Sequence, residues 1–311
     1  MQASYQQFRN FYSSIQTSPH FQSRLIQLTP GELNEQCDAL FTESFSIYRM
    51  RYSQPCLIMG QLVLDNVIGL GLVHARRPCF FNGKSMQMDD CFVLHPRGDN
   101  DLALRGSGTL YVFAMNEGFI VKHAKQQSGL RIEDIIGQQE VMRFTQTRDL
   151  GQALIHVFEN AQQQDIAVAQ QNDVQNVTEH LINCISSRKL LHYRSNSRGN
   201  LLSRAIRFIL QNIEYIEGCL CVAKKLHTST RSLEKVFRQY LNMSPKEFIN
   251  VAKVNCFREQ IVYGSHDVPL KLLDLSRRVG ASNYASFSKQ FKNFYGKSPL
   301  KVRQEACANT L

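Results

Sequence analysis

The sequence lacks the motifs of several common enzyme and membrane-protein classes. No apolar run approaches the roughly 20 residues that a helix needs to cross a bilayer. The first ten residues lack the basic start and apolar core of a signal peptide, so we expect none. Walker A, GxSxG, HExxH and GxGxxG motifs are also absent. We therefore expect a cytoplasmic protein that is neither an enzyme nor bound to a membrane.

The nine cysteines form no CxxC pair. Several stand in apolar runs, as Cys91 does before Phe92-Val93-Leu94, which favours buried thiols in a reducing compartment. A redox switch at Cys219 and Cys221 is the alternative. The histidines at 74 and 95 are isolated from any His and Glu cluster, so we predict no metal and no other cofactor.

Excess positive charge is confined to the last third of the chain. Residues 1–199 carry 18 Lys+Arg and 18 Asp+Glu, whereas residues 200–311 carry 18 and 8 and supply the whole net charge of +10. This distribution is typical of a surface that binds a polyanion. Charge alone does not distinguish DNA from RNA or from a membrane.

Short strands are predicted between residues 41 and 115. Tyr48, Met50 and Tyr52 alternate with two arginines, which is the period of a half-buried strand. Asn82-Gly83 is a strong hairpin signal, and glycines separate the other apolar runs. Those runs cover residues 62–64, 67–73, 91–94 and 110–115. A small β-barrel or double-sheet roll is predicted.

Helical patterns follow the predicted strands. Apolar stripes cover 150–158 and 174–185, and the glutamines at 162–164 and 170–171 indicate a polar loop between them. The Ser, Arg, Asn and Gly residues of 186–200 indicate an interdomain linker. Beyond it, Leu202 to Ile216 repeat at helical spacing, and we expect that helix to end at Gly218 with a left-handed cap.

These patterns predict an α+β protein of two domains. A β-rich N-terminal domain, a barrel or double-sheet roll with C-terminal helices, covers 1–185, and the linker covers 186–200. An all-α domain with two helix-turn-helix units covers 201–311.

Two stretches of the C-terminal domain match each other. Leu233, Phe237 and Pro245 correspond to Phe287, Phe291 and Pro299 with a constant shift of 54. The preceding helices, Val222–Leu226 and Leu275–Val279, correspond with a shift of 53, so one turn is a residue longer. Each stretch has a short helix with a small residue, a polar turn, and a second helix with apolar residues four apart. Each ends on Ser-Pro, which suits a helix start, and this order of parts predicts a helix-turn-helix.

About 100 residues of the C-terminal domain resemble the DNA-binding region of the AraC/XylS family of transcriptional regulators. The resemblance lies in Thr-Ser-Thr-Arg-Ser-Leu-x3-Phe from Thr228 and in Gly280 through Pro299. Ser276 and Ala281 depart from the family pattern of alanine and phenylalanine. The segment Val254–Arg258 is similar to the connecting helix of the ethanolamine-operon-type regulators in the family.

The resemblance implies two recognition helices on one support, joined by a long helix over about 245–263, which enter successive major grooves of promoter DNA. We expect the outward residues of the recognition helices to contact bases: Arg231, Glu234, Lys235, Tyr284, Ser286 and Lys289. We expect phosphate contacts from the surrounding residues Lys224, Lys225, Ser229, Arg238, Ser282, Lys292 and Lys297. A solvated surface position is the alternative for each of them.

The resemblance also suggests partners. Family regulators of this layout use the N-terminal domain to bind a small-molecule effector, to form a homodimer, or both, and an activator that contacts RNA polymerase is the expected role. Arg76, Arg77, His95 and Arg97 are candidate anion-binding residues, with ordinary surface charge as the favoured alternative. The rival functions are a basic helical scaffold that binds DNA or RNA without specificity and a DNA-repair protein with a zinc-bound, methyl-accepting cysteine domain.

Overall fold

The computed structural model describes residues 4–8, 21–42, 45–62, 67–87, 90–94, 100–128, 141–144, 147–163, 169–187, 189–190, 197–264 and 270–308. Contacts between Cα atoms divide the chain into two compact units. Unit 1 comprises Met1–Leu25, Asn34–Ser53 and Ile58–Ser195. Unit 2 comprises Ile26–Leu33, Gln54–Leu57 and Asn196–Leu311.

The strands of the N-terminal half belong to two antiparallel sheets. One sheet has the strand order β1-β3-β4-β11-β6-β9-β12-β13, and the other has the order β2-β5-β10-β7-β8. The strands are β1 (Ser4–Phe8), β2 (Phe21–Gln27), β3 (Glu35–Phe41), β4 (Phe45–Tyr52), β5 (Cys56–Leu62), β6 (Val67–Ala75), β7 (Cys79–Phe81), β8 (Lys84–Met86), β9 (Asp90–Leu94), β10 (Asn100–Leu104), β11 (Gly108–Asn116), β12 (Val141–Arg143) and β13 (Lys189–Leu190). The β-rich, two-sheet N-terminal half confirms the predicted fold class, whereas most of the run predicted at 62–64 lies outside the described residues.

Three helices pack on the larger sheet within unit 1. They are α1 (Glu117–Ser128), α2 (Thr147–Gln163) and α3 (Ala169–Ser186). Leu154 and Phe158 of α2 and Val177 and Leu181 of α3 are buried in one core with Phe113 of β11. The two apolar stripes lie on helices, as predicted, and they face the sheet. The described glutamines of the predicted loop lie inside these helices instead, because glutamine is a good helix former.

The hairpin signal at Asn82-Gly83 is confirmed. Asn82 has φ 46° and Gly83 has φ 73°, and β7 pairs with β8 on either side. Two successive residues with positive φ define the turn whose twist matches that of antiparallel strands, and Asn followed by Gly tolerates this conformation at the least cost.

Strand β4 departs from the half-buried pattern that its alternation predicts. Arg49 is only 6% exposed, and its guanidinium lies 2.7 Å from a carboxylate oxygen of the fully buried Asp38. The hydroxyl of Tyr5 donates to the same carboxylate, and Arg49 lies 4.4 Å from the centre of the Phe158 ring. The central position of β4, beside β3 and β11, buries both faces, and the arginine is retained because it is paired.

The cysteines are distributed as the favoured interpretation expects. Six of the nine are buried, and the described thiols form no disulfide. Burial raises the pKa of Cys79 to about 12 and also raises the pKa of Cys219, which lowers the thiolate fraction that a redox switch requires. Within the described ranges, no group of three or more His, Cys, Asp or Glu side chains is placed to hold a metal ion.

Unit 2 is helical apart from its two short N-terminal segments. Its helices are α4 (Ser197–Gln211), α5 (Cys219–Lys225), α6 (Thr230–Leu241), α7 (Pro245–Tyr263), α8 (Leu272–Arg278), α9 (Tyr284–Tyr295) and α10 (Pro299–Ala308). No helix among the described residues is long and apolar enough to span a membrane. The all-α C-terminal region with two helix-turn-helix units is therefore as predicted.

The end predicted for the first of these helices is wrong. Helix α4 ends at Gln211, and Gly218 has an extended backbone and is the N-cap of α5. The apolar spacing misled the prediction because Ile213 and Ile216 remain packed after the chain leaves the helix, with Ile216 2% exposed. Helix α4 also begins within the stretch 186–200, so the linker boundaries remain a prediction.

Candidate nucleic-acid interface

The turns of the two helix-turn-helix units have the same backbone geometry. His227 and Gly280, which are related by the shift of 53, have φ angles of 51° and 68°. The next residue in each turn donates its N–H back to the first helix, Thr228 to the Ala223 carbonyl and Ala281 to the Ser276 carbonyl, both at 3.0 Å. The first helix and the turn are therefore repeated residue for residue.

The extra residue of the second unit lies just after this turn. Ser229 is the N-cap of α6, and its hydroxyl accepts from the backbone N–H of Ser232 at 3.0 Å. The equivalent cap of α9 is Asn283, whose Oδ1 accepts from the N–H of Ser286 at 3.0 Å. Asn283 therefore caps α9 in place of the neighbouring Ser282, whose expected phosphate contact stays a prediction.

Small residues allow the helices of each unit to pack closely. Ala223 is 2% exposed and Ser276 is fully buried. The hydroxyl of Ser276 donates to the Leu273 carbonyl at 2.7 Å, so serine in place of the family's alanine leaves no unsatisfied polar group. Ala281, the other departure, packs at the edge of the second unit's core.

Both recognition helices pack against helix α7. The ring of Phe248 on α7 lies 5.3 Å from that of Phe237 on α6. The ring of Phe257 on α7 lies 5.2 Å from Phe287 and 5.5 Å from Phe291, both on α9. The start of α7 is fixed by a capping box, in which Ser244 and Glu247 bond each other's backbone N–H, with Pro245 in the first turn. The predicted long helix is confirmed and supports both units.

The residues predicted to contact bases are exposed with one exception. Arg231, Lys235, Ser286 and Lys289 are all solvent-exposed on the sides of α6 and α9 that lie away from the buried phenylalanines. Tyr284 is half-buried and packs against the core of the second unit. Its ring therefore belongs partly to the core, which leaves mainly its outer edge available to a base.

Two of the residues predicted to contact DNA form an ion pair in the free protein. The guanidinium of Arg238 lies 3.1 Å from Glu234 on the same helix and 3.5 Å from Glu247 at the start of α7. Lys297 is paired in the same way, 2.9 Å from Glu305. These side chains are about half exposed, so their pairs are weak and are easily exchanged for phosphate contacts.

Two basic residues were missed by the sequence analysis. Arg277 and Arg278 are exposed in the last turn of α8, and the shift of 53 relates them to Lys224 and Lys225 of α5. The signal was present in the repeat itself, because each unit has two successive cations at the end of its first helix. The first helix of each unit therefore ends with two exposed basic residues.

The turn of the second unit is fixed by contacts with two other parts of unit 2. The ammonium group of Lys253 on α7 donates to the Gly280 carbonyl at 2.9 Å. A Cβ at position 280 would lie 2.3 Å from the Glu214 carbonyl oxygen. Partial burial lowers the pKa of Lys253 because it disfavours the charged amine. Glycine is needed at this position for the close approach as well as for the positive φ.

Two basic helix-turn-helix units on one supporting helix define the class of DNA-binding helix-turn-helix proteins. Residues 222–305 match the family model described as a helix-turn-helix domain. The match lies in the region that resembles the AraC/XylS regulators, and it confirms that resemblance for the C-terminal unit. The narrower resemblance of Val254–Arg258 to ethanolamine-operon-type regulators stays a prediction.

Two transcriptional regulators each match part of this chain. A stretch of 84 residues is 43% identical to the Msm operon regulatory protein of Streptococcus mutans serotype c, covering 27% of this chain and 29% of that protein. A stretch of 115 residues is 27% identical to the HTH-type transcriptional regulator ArgR of Pseudomonas aeruginosa, covering 37% and 34%. The chain thus spans about a third of these relatives. The crystal structure of the AraC-like transcriptional activator CuxR aligns over 88% of this chain and 100% of its own, with 11% identity and a TM-score of 0.40.

Proposed function

We propose that this protein is a sequence-specific transcriptional regulator that inserts α6 and α9 into two successive major grooves of promoter DNA. The observation that carries the proposal is the duplicated helix-turn-helix with both recognition helices packed on α7. Its two units differ in turn length and in outward residues, so the site they read is not palindromic. Recognition by one chain then requires two half-sites about 34 Å apart on one face of the duplex.

The proposed base contacts come from the exposed faces of α6 and α9. Arg231 and Lys235 in the first unit and Lys289 in the second have the chemistry that favours guanine edges. Ser286 has a hydroxyl that donates or accepts, and Tyr284 contributes the exposed edge of its ring. Glu234 suits the amino group of cytosine, and it is released for this contact when Arg238 leaves it for a phosphate.

The proposed phosphate contacts surround these helices. They position the protein on the duplex without reading its sequence. The set consists of the predicted residues and of the two arginines that the repeat adds: Lys224, Lys225, Ser229, Arg238, Arg277, Arg278, Ser282, Lys292 and Lys297.

A small-molecule effector is a second proposal, and a cavity in unit 1 supports it. The cavity lies among β-strands, and none of the described residues that line it carries a charge. Ser23, Gln61 and Asn100 are among the few polar residues in a lining that is otherwise mostly apolar or aromatic. This lining suits an uncharged, mostly apolar molecule. Arg76 and Arg77 are exposed and are not part of the lining, and the histidine and arginine predicted beside them lie outside the described residues.

The remaining expectations rest on the family resemblance or, for the location, the domain boundaries and the lack of enzymatic activity, on the sequence patterns. They are an activator role, contact with RNA polymerase, a homodimer, a cytoplasmic location, the domain boundaries at 186 and 200, and the absence of enzymatic activity. A reporter gene driven by the regulator's target promoter tests the first of these expectations, since its expression must fall when the regulator is deleted.

The proposed function is tested by binding of the full chain to its upstream promoter duplex and to a scrambled duplex over a series of salt concentrations. A specific regulator retains a large preference for the promoter as salt rises, because base contacts do not depend on counterion release. Equal and steeply salt-dependent affinity for both duplexes would contradict the proposal. That outcome would favour the alternative, a basic scaffold without sequence specificity.

A further inference from the structure

The helical unit includes a segment from far earlier in the chain. Residues 26–33, here called the docked segment, group with unit 2 together with residues 54–57. Their contacts with the helices are specific hydrogen bonds that join residues more than 200 positions apart. The family resemblance covers only the C-terminal region and does not include this segment.

Asn255 of α7 is the centre of these contacts. Its Oδ1 accepts from the backbone N–H of Gln27 at 3.0 Å and from the hydroxyl of Tyr295 at 3.1 Å. Its Nδ2 donates to the carbonyls of Gln27 at 3.0 Å and Val251 at 2.8 Å. A side-chain amide has two donor hydrogens and two acceptor lone pairs, so all four positions are used. Asn255 is 6% exposed, and none of these bonds is readily replaced by water.

The docked segment also bonds the end of the second recognition helix. The N–H of Gly31 donates to the carbonyl of Phe294 at 2.8 Å. Phe294 is the penultimate residue of α9, where the carbonyls have no partner within the helix. Gly31 reaches this carbonyl with φ 119°, a conformation that other residues rarely adopt.

The docked segment is held in shape by its own side chains. The Nε2 of Gln27 donates to the carbonyls of Thr29 and Gly31, both at 2.7 Å, and the Thr29 hydroxyl donates to Gln54 at 2.9 Å. The N–H of Leu28 donates to the carbonyl of Pro55 at 3.0 Å. The segment is thus a closed loop that presents the Gly31 N–H toward α9.

We infer that Asn255 is a positioning residue for DNA recognition, and that the docked segment fixes the C-terminal end of α9 through it. The inference rests on the proposed function. Two independent hydrogen bonds, from Tyr295 to Asn255 and from Gly31 to Phe294, tie the last turn of α9 to this assembly. Both bonds are made with the last turn of the second recognition helix. Loss of the assembly changes the orientation of α9 and weakens recognition of the second half-site only.

The test measures how much each half-site contributes to affinity in the full chain. Promoter duplexes with one half-site scrambled are compared with the intact promoter, and Lys289→Ala identifies which half-site the second unit reads. In the wild type we expect scrambling of either half-site to weaken binding at least tenfold. In Asn255→Ala, scrambling the second half-site is expected to change affinity less than threefold. Scrambling the first half-site should still lower the affinity about tenfold.

Two further variants distinguish positioning from general loss of structure. Gln27→Ala removes the two side-chain bonds that Gln27 makes within the docked segment and lies outside the helices, so it should reproduce the loss at the second half-site even where Asn255→Ala does not fold. Asn250→Ala alters an exposed asparagine of the same helix and should behave as wild type. Melting curves show whether each variant is folded.

The outcomes separate this inference from the proposed function. A wild type that does not distinguish promoter from scrambled DNA contradicts the proposed function and the inference together. If the wild type discriminates, folded Asn255→Ala and Gln27→Ala chains that keep both half-site penalties overturn the positioning role alone. Equal loss at both half-sites overturns it as well, because that is the signature of a merely structural contribution.

Discussion

Gly280 shows how much of the second helix-turn-helix depends on one residue. Its φ of 68° is unfavourable for any side chain, and the Glu214 carbonyl leaves no room for a Cβ. Gly296 at the end of α9 has a similar φ of 73° but no atom within 4 Å of an added Cβ. The two glycines therefore separate the cost of the backbone conformation from the cost of steric overlap.

We predict that Gly280→Ala lowers the free energy of unfolding by about 3 kcal/mol, from about 1 for the left-handed backbone and the rest for the overlap. The matched control Gly296→Ala should lower it by only about 1 kcal/mol. Denaturant unfolding of the full chain gives both values. If the two variants lose the same free energy of unfolding, the turn has moved to make room for the added Cβ at position 280. That result would contradict the packing described for Gly280.

Truncation of Arg231 and truncation of Lys224 are predicted to affect DNA binding in different ways. Arg231→Ala should cost about 1–3 kcal/mol at the specific site and relax discrimination at one base pair, because we propose that its guanidinium contacts a base edge. Lys224→Ala should weaken binding to all duplexes alike and reduce the salt slope by about one. Titrations of promoter and scrambled duplexes measure both effects, with the exposed Arg204→Ala on α4 as the surface-charge control. The assignment of Arg231 is wrong if its variant keeps the original preference.

The residues of the interface were predicted to different degrees. The repeat fixed the outward positions of α6 and α9 because buried phenylalanines four apart leave a single opposite face. It did not identify Asn283 as the cap, since the extra residue of the second turn shifts the alignment by one. The pairing of Arg238 with Glu234 and Glu247 joins two helices, so it follows only from their packing.

At the scale of elements, helix α7 was predicted with its correct bounds. Ser-Pro at its start and glycine just after its end are local signals, and the first is expressed in the structure as a capping box. Helix α4 was predicted too long, because buried isoleucines continue at helical spacing through the following turn. Apolar residues at helical spacing indicate buried positions. They indicate a helix only where the backbone hydrogen bonds of the helix continue.

The capping box at the start of α7 gives a prediction about stability. Ser244→Ala removes the hydroxyl that accepts from Glu247 N–H and should lower the free energy of unfolding by about 1 kcal/mol. Ser298→Ala, at the start of α10, should cost less because its hydroxyl accepts at 3.3 Å and a lysine stands where Glu247 closes the first box. Thermal melts of the two variants compare the caps. A smaller loss for Ser244→Ala than for Ser298→Ala would contradict the reciprocal arrangement.

The same capping box predicts that the free energy of unfolding depends on pH. Hydrogen bonds from Ser244 lower the pKa of Glu247 below its ordinary value of 4.5, so the folded state favours the carboxylate. The Glu247 carboxylate therefore stabilises the folded state above pH 4.5. This stabilisation is lost as the pH falls through the lower pKa that Glu247 has in the folded state. The stability difference between wild type and Glu247→Gln should therefore narrow on acidification. If the stability difference between wild type and Glu247→Gln does not change between pH 7 and pH 3, the Glu247 carboxylate does not stabilise the fold in this way.

At the scale of the whole molecule, the division into two units was less accessible to sequence reasoning than the order of elements. Residues 26–33 and 54–57 group with a helical region that begins at Asn196, far later in the chain. No local pattern marks this, since the bonds of Gln27 to Asn255 are made by a backbone that any residue supplies. Charge, in contrast, is a sum over the chain, and its excess in residues 200–311 indicated which part of the chain binds a polyanion.

The central claim is that one chain reads two successive major grooves with two unequal recognition helices. Hydroxyl-radical footprinting of the full chain on its upstream promoter tests it most directly. We expect two protected stretches on one face of the duplex, about 10 base pairs apart and different in sequence. Arg231→Ala should reduce one of them and Lys289→Ala the other. A single protected stretch, or protection spread evenly over the promoter and over scrambled DNA, would contradict it.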